Sequence, residues 1–185
     1  MANNKENLLK NIEEFINDSD EKCMFITGTN KYKKHILVMA ALDQLVSGSH
    51  ILFRSSSMQN LLDREFLGRF ISKQPKIGQK YRIENNVYES DTFTNSSSWY
   101  KTSNDFDCAI FYPIDAIARK SVKIDCLENL FERKNIKKIF LVSWADNNYD
   151  YSIFDKFVDR HVIYDAEEED LEYHNRVLEI INDRR

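Results

Sequence analysis

Five short apolar runs constrain this chain more than any other feature. They are Cys23-Met24-Phe25-Ile26-Thr27, His50-Ile51-Leu52-Phe53, Cys108-Ala109-Ile110-Phe111-Tyr112, Ile139-Phe140-Leu141-Val142 and His161-Val162-Ile163-Tyr164. A strand with one wet face alternates apolar and polar residues, whereas a strand that is apolar almost throughout is covered on both faces. Helical spacing fills the gaps. Leu8, Leu9, Ile12, Phe15 and Ile16 share one face, and further periodic stretches run from Ile36 to Leu45, Leu61 to Ile71, Val122 to Phe131 and Leu171 to Ile181. The alternation predicts an α/β fold, a three-layer α/β/α sandwich with a mainly parallel five-stranded sheet. Tyr81-Arg82-Ile83 and Val87-Tyr88-Glu89 flank Glu84-Asn85-Asn86 and read as a small β-hairpin. Residues 90–105, rich in Ser, Thr, Asn and Asp, read as a loop interrupted by Trp99 and Tyr100. Residues 1–185 read as one domain, with an N-terminal helix over about 5–17 ahead of the first strand.

Composition narrows the function classes. Lys and Arg number 26 against 30 Asp and Glu, a net charge of −4 that argues against a strongly basic nucleic-acid protein. No apolar run approaches the roughly 18–20 residues of a spanning helix, so no membrane partner is expected. The N-terminus, polar and amphipathic, lacks the pattern of a secretory signal. Cys23, Cys108 and Cys126 form no CxxC pair, and His35, His50, His161 and His174 share no ligand spacing. The expectations are no metal site built from His and Cys, and a cytoplasmic location.

Ligands of open parallel sheets bind beyond the carboxyl ends of the strands. The first such end is the most informative. A buried strand, then Gly28-Thr29-Asn30-Lys31-Tyr32-Lys33-Lys34-His35, then an apolar helix, resembles the phosphate-binding loop GxxxxGK[ST] of P-loop NTPases. Gly28 takes the first glycine and Lys34 the lysine. Lys33 stands in place of the second glycine, and His35 in place of the magnesium-binding hydroxyl. A side chain at the second glycine obstructs the tight turn, and imidazole is a poor magnesium ligand. The bland alternative is a basic strand-to-helix turn with solvated lysines.

The resemblance extends downstream, to an ATPase core of the AAA+ or helicase kind with eroded Walker A and Walker B motifs. Asp107 to Asp115 is similar to a Walker B strand, except that Tyr112-Pro113 occupies its end and Asp115 lies beyond. As a helix N-cap, Asp115 has an equally good structural role. Ile139 to Asp146 resembles the sensor strand, with Ser143 at the polar position or simply at a strand-end turn. The resemblance implies a P-loop-like fold in which the strand at 23–27 is central and lies beside the strand at 108–112. It implies phosphate binding by Gly28, Thr29, Asn30, Lys31, Lys33, Lys34 and His35, with Asp115 and Ser143 as weak catalytic candidates. It names ATP or GTP with magnesium as the cofactor, held weakly if at all. Phosphoryl transfer needs a placed metal and a phosphate cradle, and both look eroded. The reading is therefore a non-hydrolysing relative, regulatory or structural, with a protein partner or as a homo-oligomer.

Two alternatives stay open. The first is a nucleic-acid-associated module partnering a helicase or nuclease, using Lys76, Lys80, Arg82, Trp99, Tyr100, Arg119, Lys120 and Lys123 to track phosphates and stack bases. Against it stand solvated basic faces, with Trp99 folded onto the core. The second is a true ATPase with a non-standard loop. Asp165 and the acidic run Glu167 to Asp170 offer a carboxylate cluster for a metal, but read rather as the solvated first turn of a helix.

Overall fold

The computed structural model describes residues 2–119, 124–144 and 149–182. Its strands are β1 (Cys23–Thr27), β2 (His50–Ser55), β3 (Tyr81–Ile83), β4 (Asn86–Thr92), β5 (Asp105–Phe111), β6 (Asn135–Val142) and β7 (Arg160–Ile163). Its α-helices are α1 (Lys5–Asn17), α2 (Lys34–Leu45), α3 (Asp115–Ala118), α4 (Asp125–Glu128) and α5 (Leu171–Asn182). The strands form one sheet in the order β3-β4-β2-β5-β6-β1-β7, and only the β3–β4 pair is antiparallel. No helix among the described residues is long and apolar enough to cross a membrane.

Apolar runs become two-sided strands because both faces are covered. Met24, Ile26, Ile51, Phe53, Ile110 and Phe140 pack with Leu8, Ile12 and Phe15 of α1 and Val38 and Leu42 of α2. Their neighbours Cys23, Phe25, Leu52, Ala109, Phe111 and Ile139 point the other way, onto Ile117 of α3, Leu127 of α4 and Leu130. Each such side chain, fully buried, contributes about 1.5–3 kcal/mol.

The sheet departs from expectation in three ways. It has seven strands, not five, because the hairpin belongs to it: β4 runs parallel to β2 from His50↔Val87 to Ser55↔Thr92. Second, β1 is internal but lies between β6 and β7, and β6 separates it from β5. Apolar strands carry no mark of which neighbour they take. Third, the helix expected over Leu61 to Ile71 is a 3-10 turn at Gln59–Leu62 followed by further turns. The chain folds back on itself there: Leu67 donates its amide to the Leu61 carbonyl at 3.1 Å. A Cβ on Gly68 would lie 2.0 Å from the Leu62 carbonyl oxygen, so only glycine permits the approach.

The helix expected around 122–134 is likewise short. It consists of α4 running into a π-turn, Asn129–Arg133. The Cys126 carbonyl and the Asn129 side chain are turned onto the guanidinium of Arg54, at 2.8 and 3.0 Å.

Candidate functional site

The carboxyl ends of β5, β6, β1 and β7 lie side by side, in register through Phe111↔Leu141, Ile26↔Val142 and Thr27↔Ile163. The β1–α2 turn opens there. Gly28 has φ +115°, and a Cβ on it would stand 2.1 Å from the Tyr164 carbonyl oxygen. The glycine is needed because the chain leaving β7 passes against it.

The turn is then tied to the β7–α5 connection. Thr29 donates its amide to Asp165 Oδ1 at 2.9 Å, and Asn30 donates to the Tyr164 carbonyl at 3.3 Å. The Thr29 hydroxyl accepts from the Ala166 amide at 2.9 Å and pairs with His174 Nδ1 of α5 at 2.8 Å. Lys33 forms an ion pair with Glu169, whose carboxylate also accepts from the Tyr164 hydroxyl. Burial alone would raise the Glu169 pKa, but the hydrogen bonds from Lys33 and Tyr164 outweigh it and hold the group below the usual glutamate value.

Lys34 is not solvated. It is fully buried, donating to the Gly28 carbonyl at 2.5 Å and reaching the Trp144 carbonyl at 3.4 Å. The Trp144 amide in turn donates to Asp115 Oδ2 at 2.5 Å, and the Tyr151 hydroxyl to Asp115 Oδ1 at 3.2 Å. Asp115 is thus the buried first residue of α3 and does not cap it. Ser143 is buried at the end of β6 and donates its amide to the Ile26 carbonyl at 3.0 Å. The chain just beyond β6 therefore connects Asp115 with Lys34 through the backbone of one residue, Trp144.

His35 faces the core. Its ring stacks on Tyr112 with centroids 3.9 Å apart, and Nε2 lies 3.3 Å from the Phe66 carbonyl. A carbonyl only accepts, so Nε2 carries the proton. Burial lowers the His35 pKa to about 3, and the imidazole is neutral. Tyr112, where a Walker B carboxylate would end its strand, is fully buried with its hydroxyl unpartnered among the described residues.

Lys31 lies 5.9 Å from the Trp144 ring and 5.8 Å from the Tyr173 ring, a loose cation–π arrangement. Among the described residues no three His, Cys, Asp or Glu side chains meet in a way that would hold a metal. As arranged, the turn does not fit a magnesium nucleotide. Two of its amides are engaged within the chain, Lys34 points back at its own loop, and the residue in the magnesium-ligand position is a stacked core imidazole.

Of the described residues of the nucleic-acid alternative, those of the 76–80 turn lie against the chain at Lys101, next to Tyr100, while Trp99 and Arg119 are engaged within the fold. Lys76, Lys80 and Arg82 are exposed on and before the edge strand β3. Trp99 is buried under Arg54, with its ring 5.1 Å from the guanidinium and its Nε1 donating to the Thr92 carbonyl at 2.7 Å. Tyr100 is 72% exposed and takes a bond from Arg133. Arg119 stacks on Tyr149 and donates to its hydroxyl at 2.6 Å. Lys120 and Lys123 lie outside the described residues.

Sequence reasoning places Trp144 and Asp165 just beyond strand ends, where ligands bind, and reads Glu169 as solvated, but joins none of them, nor His174, to the β1–α2 turn. That Asp165 and Glu169 face the turn depends on β7 lying beside β1. No model of a known protein family matches the chain, and no curated protein matches it.

Proposed function

We propose that this chain is a non-hydrolysing protein of P-loop NTPase-like build, whose phosphate site is filled by its own side chains and which acts as a structural or regulatory subunit of a larger assembly. One observation carries the reading. The Asp165 carboxylate sits on the Thr29 amide, where the resemblance would place a phosphate oxygen. A strand-to-helix turn attracts anions through its amides and the helix dipole, and an internal carboxylate satisfies the same demand. The position of Lys34 supports the same view, since its ammonium is buried and donates to the Gly28 carbonyl of its own loop. Exposed apolar side chains, Ile163 on the edge strand β7 and Leu171 and Leu178 on α5, support a subunit role.

The test is a thermal-shift titration with ATP, GTP and their diphosphates, with and without magnesium, on the wild type and Lys34→Ala. A ligand at about a hundred times its dissociation constant stabilises a fold by roughly 2.7 kcal/mol, well within detection. The expected result is no shift in either protein. A magnesium-dependent shift lost in Lys34→Ala, with phosphate release on standing, would show a working ATPase and overturn the proposal.

A further inference from the structure

A second cavity lies on the other flank of α2 and owes nothing to the β1–α2 turn. It encloses about 300 Å³ between α2, the turns after Leu62 and the β3–β4 hairpin. Its walls are Ile36, Met39 and Ala40 of α2, with Phe70 and Ile83 opposite. That volume is at the lower end for ligand pockets, the size of one or two fused rings and too small for a nucleotide.

Two features give the cavity a chemistry. Tyr88 contributes to the lining with its side chain 1% exposed, stacked on Tyr81 at 6.0 Å. No hydrogen bond among the described residues engages the Tyr88 hydroxyl, so the otherwise apolar floor offers a ligand one polar group. The rim is acidic. Asp43 and Glu84 stand there with Gln44, and no lysine or arginine is among the lining residues. Asp43 is fixed by the backbone amide and side-chain amide of Asn85, at 2.8 and 2.9 Å, so its negative charge is held at the mouth. Glu84 sits at the hairpin tip with φ +49°.

We propose that this cavity binds a compact aromatic amine: a ring between Met39 and Phe70, a hydrogen bond to the Tyr88 hydroxyl, and an ammonium at the Asp43–Glu84 rim. An aromatic carboxylate of equal size would meet two like charges among the lining residues, while the nearby Arg82 guanidinium is engaged by the Asn85 carbonyl at 3.3 Å. Three indoles separate these terms. Indole fills the cavity and offers an N–H to Tyr88, tryptamine adds the ammonium, and indole-3-acetate adds a carboxylate instead.

The experiment is an NMR titration of the full chain, following backbone amides, with each of the three. The expected result is localised shifts at Ile36, Met39, Ala40 and Ile83, with tryptamine binding about threefold to tenfold tighter than indole, in keeping with a partly exposed ion pair, and indole-3-acetate binding weakest. Asp43→Asn and, independently of the hairpin anchor, Glu84→Gln should each shrink the gap between tryptamine and indole. Tyr88→Phe should weaken all three. Equal affinity for the three probes would mean adventitious apolar binding only and would overturn the proposal, as would the absence of localised shifts. Neither outcome depends on whether a nucleotide binds elsewhere.

Discussion

The Asp165 carboxylate and the Thr29 amide meet at 2.9 Å, joining the β7–α5 connection to the β1–α2 turn. Removing that carboxylate should do two things. Asp165→Ala leaves a partly buried amide unpaired, costing about 1–3 kcal/mol in urea unfolding. It also vacates an anion position in a cavity that Lys33 lines, so inorganic phosphate or sulfate should raise the melting temperature of Asp165→Ala and not that of the wild type. Equal responses of the two proteins would sink the idea that the carboxylate stands in for phosphate.

Gly28 makes a separate prediction. With φ +115° and the Tyr164 carbonyl 2.1 Å from where a Cβ would sit, alanine there is both strained and blocked. Gly28→Ala should destabilise by about 3 kcal/mol or more, since a non-glycine residue in such a region already costs about 1–3 kcal/mol before the clash. Gly48, at φ +84° with open space around it, isolates the strain alone, so Gly48→Ala should cost less. Chemical denaturation of both variants decides this, and a larger loss at Gly48 would contradict the packing argument.

How much of this was legible follows from where each residue finds its partners. Strands β1, β2, β5 and β6 announced themselves because their core is apolar and buried on both faces; β7 reads the same way but lies at the sheet edge, burying Val162 and leaving His161 and Ile163 exposed. The full length of β4 did not announce itself, although it is more buried than many apolar strands. Glu89 reads as the end of the hairpin and Ser90 and Asp91 as loop residues, yet all three are buried: Glu89 accepts from the Ser103 amide and hydroxyl, Ser90 bonds Tyr81, and Asp91 pairs with Arg54. Those partners are nine to 37 residues away in the chain. The residues of the β1–α2 turn were legible from strand, glycine, lysines and helix in sequence. What the lysines do there was not, because Glu169 and the Trp144 carbonyl reach them only once β7 and β6 flank β1.

The Arg54–Asp91 pair is the most buried ion pair among the described residues. Both side chains are 0% exposed, joined by two bonds of 2.7 Å. Arg54 also bonds the Cys126 carbonyl and Asn129, and Thr102 donates to Asp91 at 3.3 Å. Taking one partner away leaves an uncompensated buried charge, so Arg54→Met or Asp91→Leu alone should cost about 3–5 kcal/mol. The double variant should recover much of that loss, because the apolar pair leaves no naked charge. A double-mutant cycle by urea unfolding checks this. Additive losses would mean that the two groups act independently.

His35 makes the fold sensitive to acid. Its imidazole is neutral when folded, with a pKa lowered by burial to about 3, against an ordinary value of 6.5. Between those two values the unfolded chain binds a proton that the folded chain refuses. Stability therefore falls as pH drops through that window, by up to about 1.4 kcal/mol per pH unit for this one group, and rises again toward neutrality. His35→Phe keeps a ring against Tyr112 but removes the proton site. It loses the bond to the Phe66 carbonyl, so it should be the less stable protein at pH 7.5, with a shallower decline toward pH 4.5. The slope of unfolding free energy against pH, measured for both proteins, isolates the effect, because every carboxylate contributes equally to each. Parallel slopes would place the acid sensitivity elsewhere and show that the His35 imidazole takes up its proton inside the folded core.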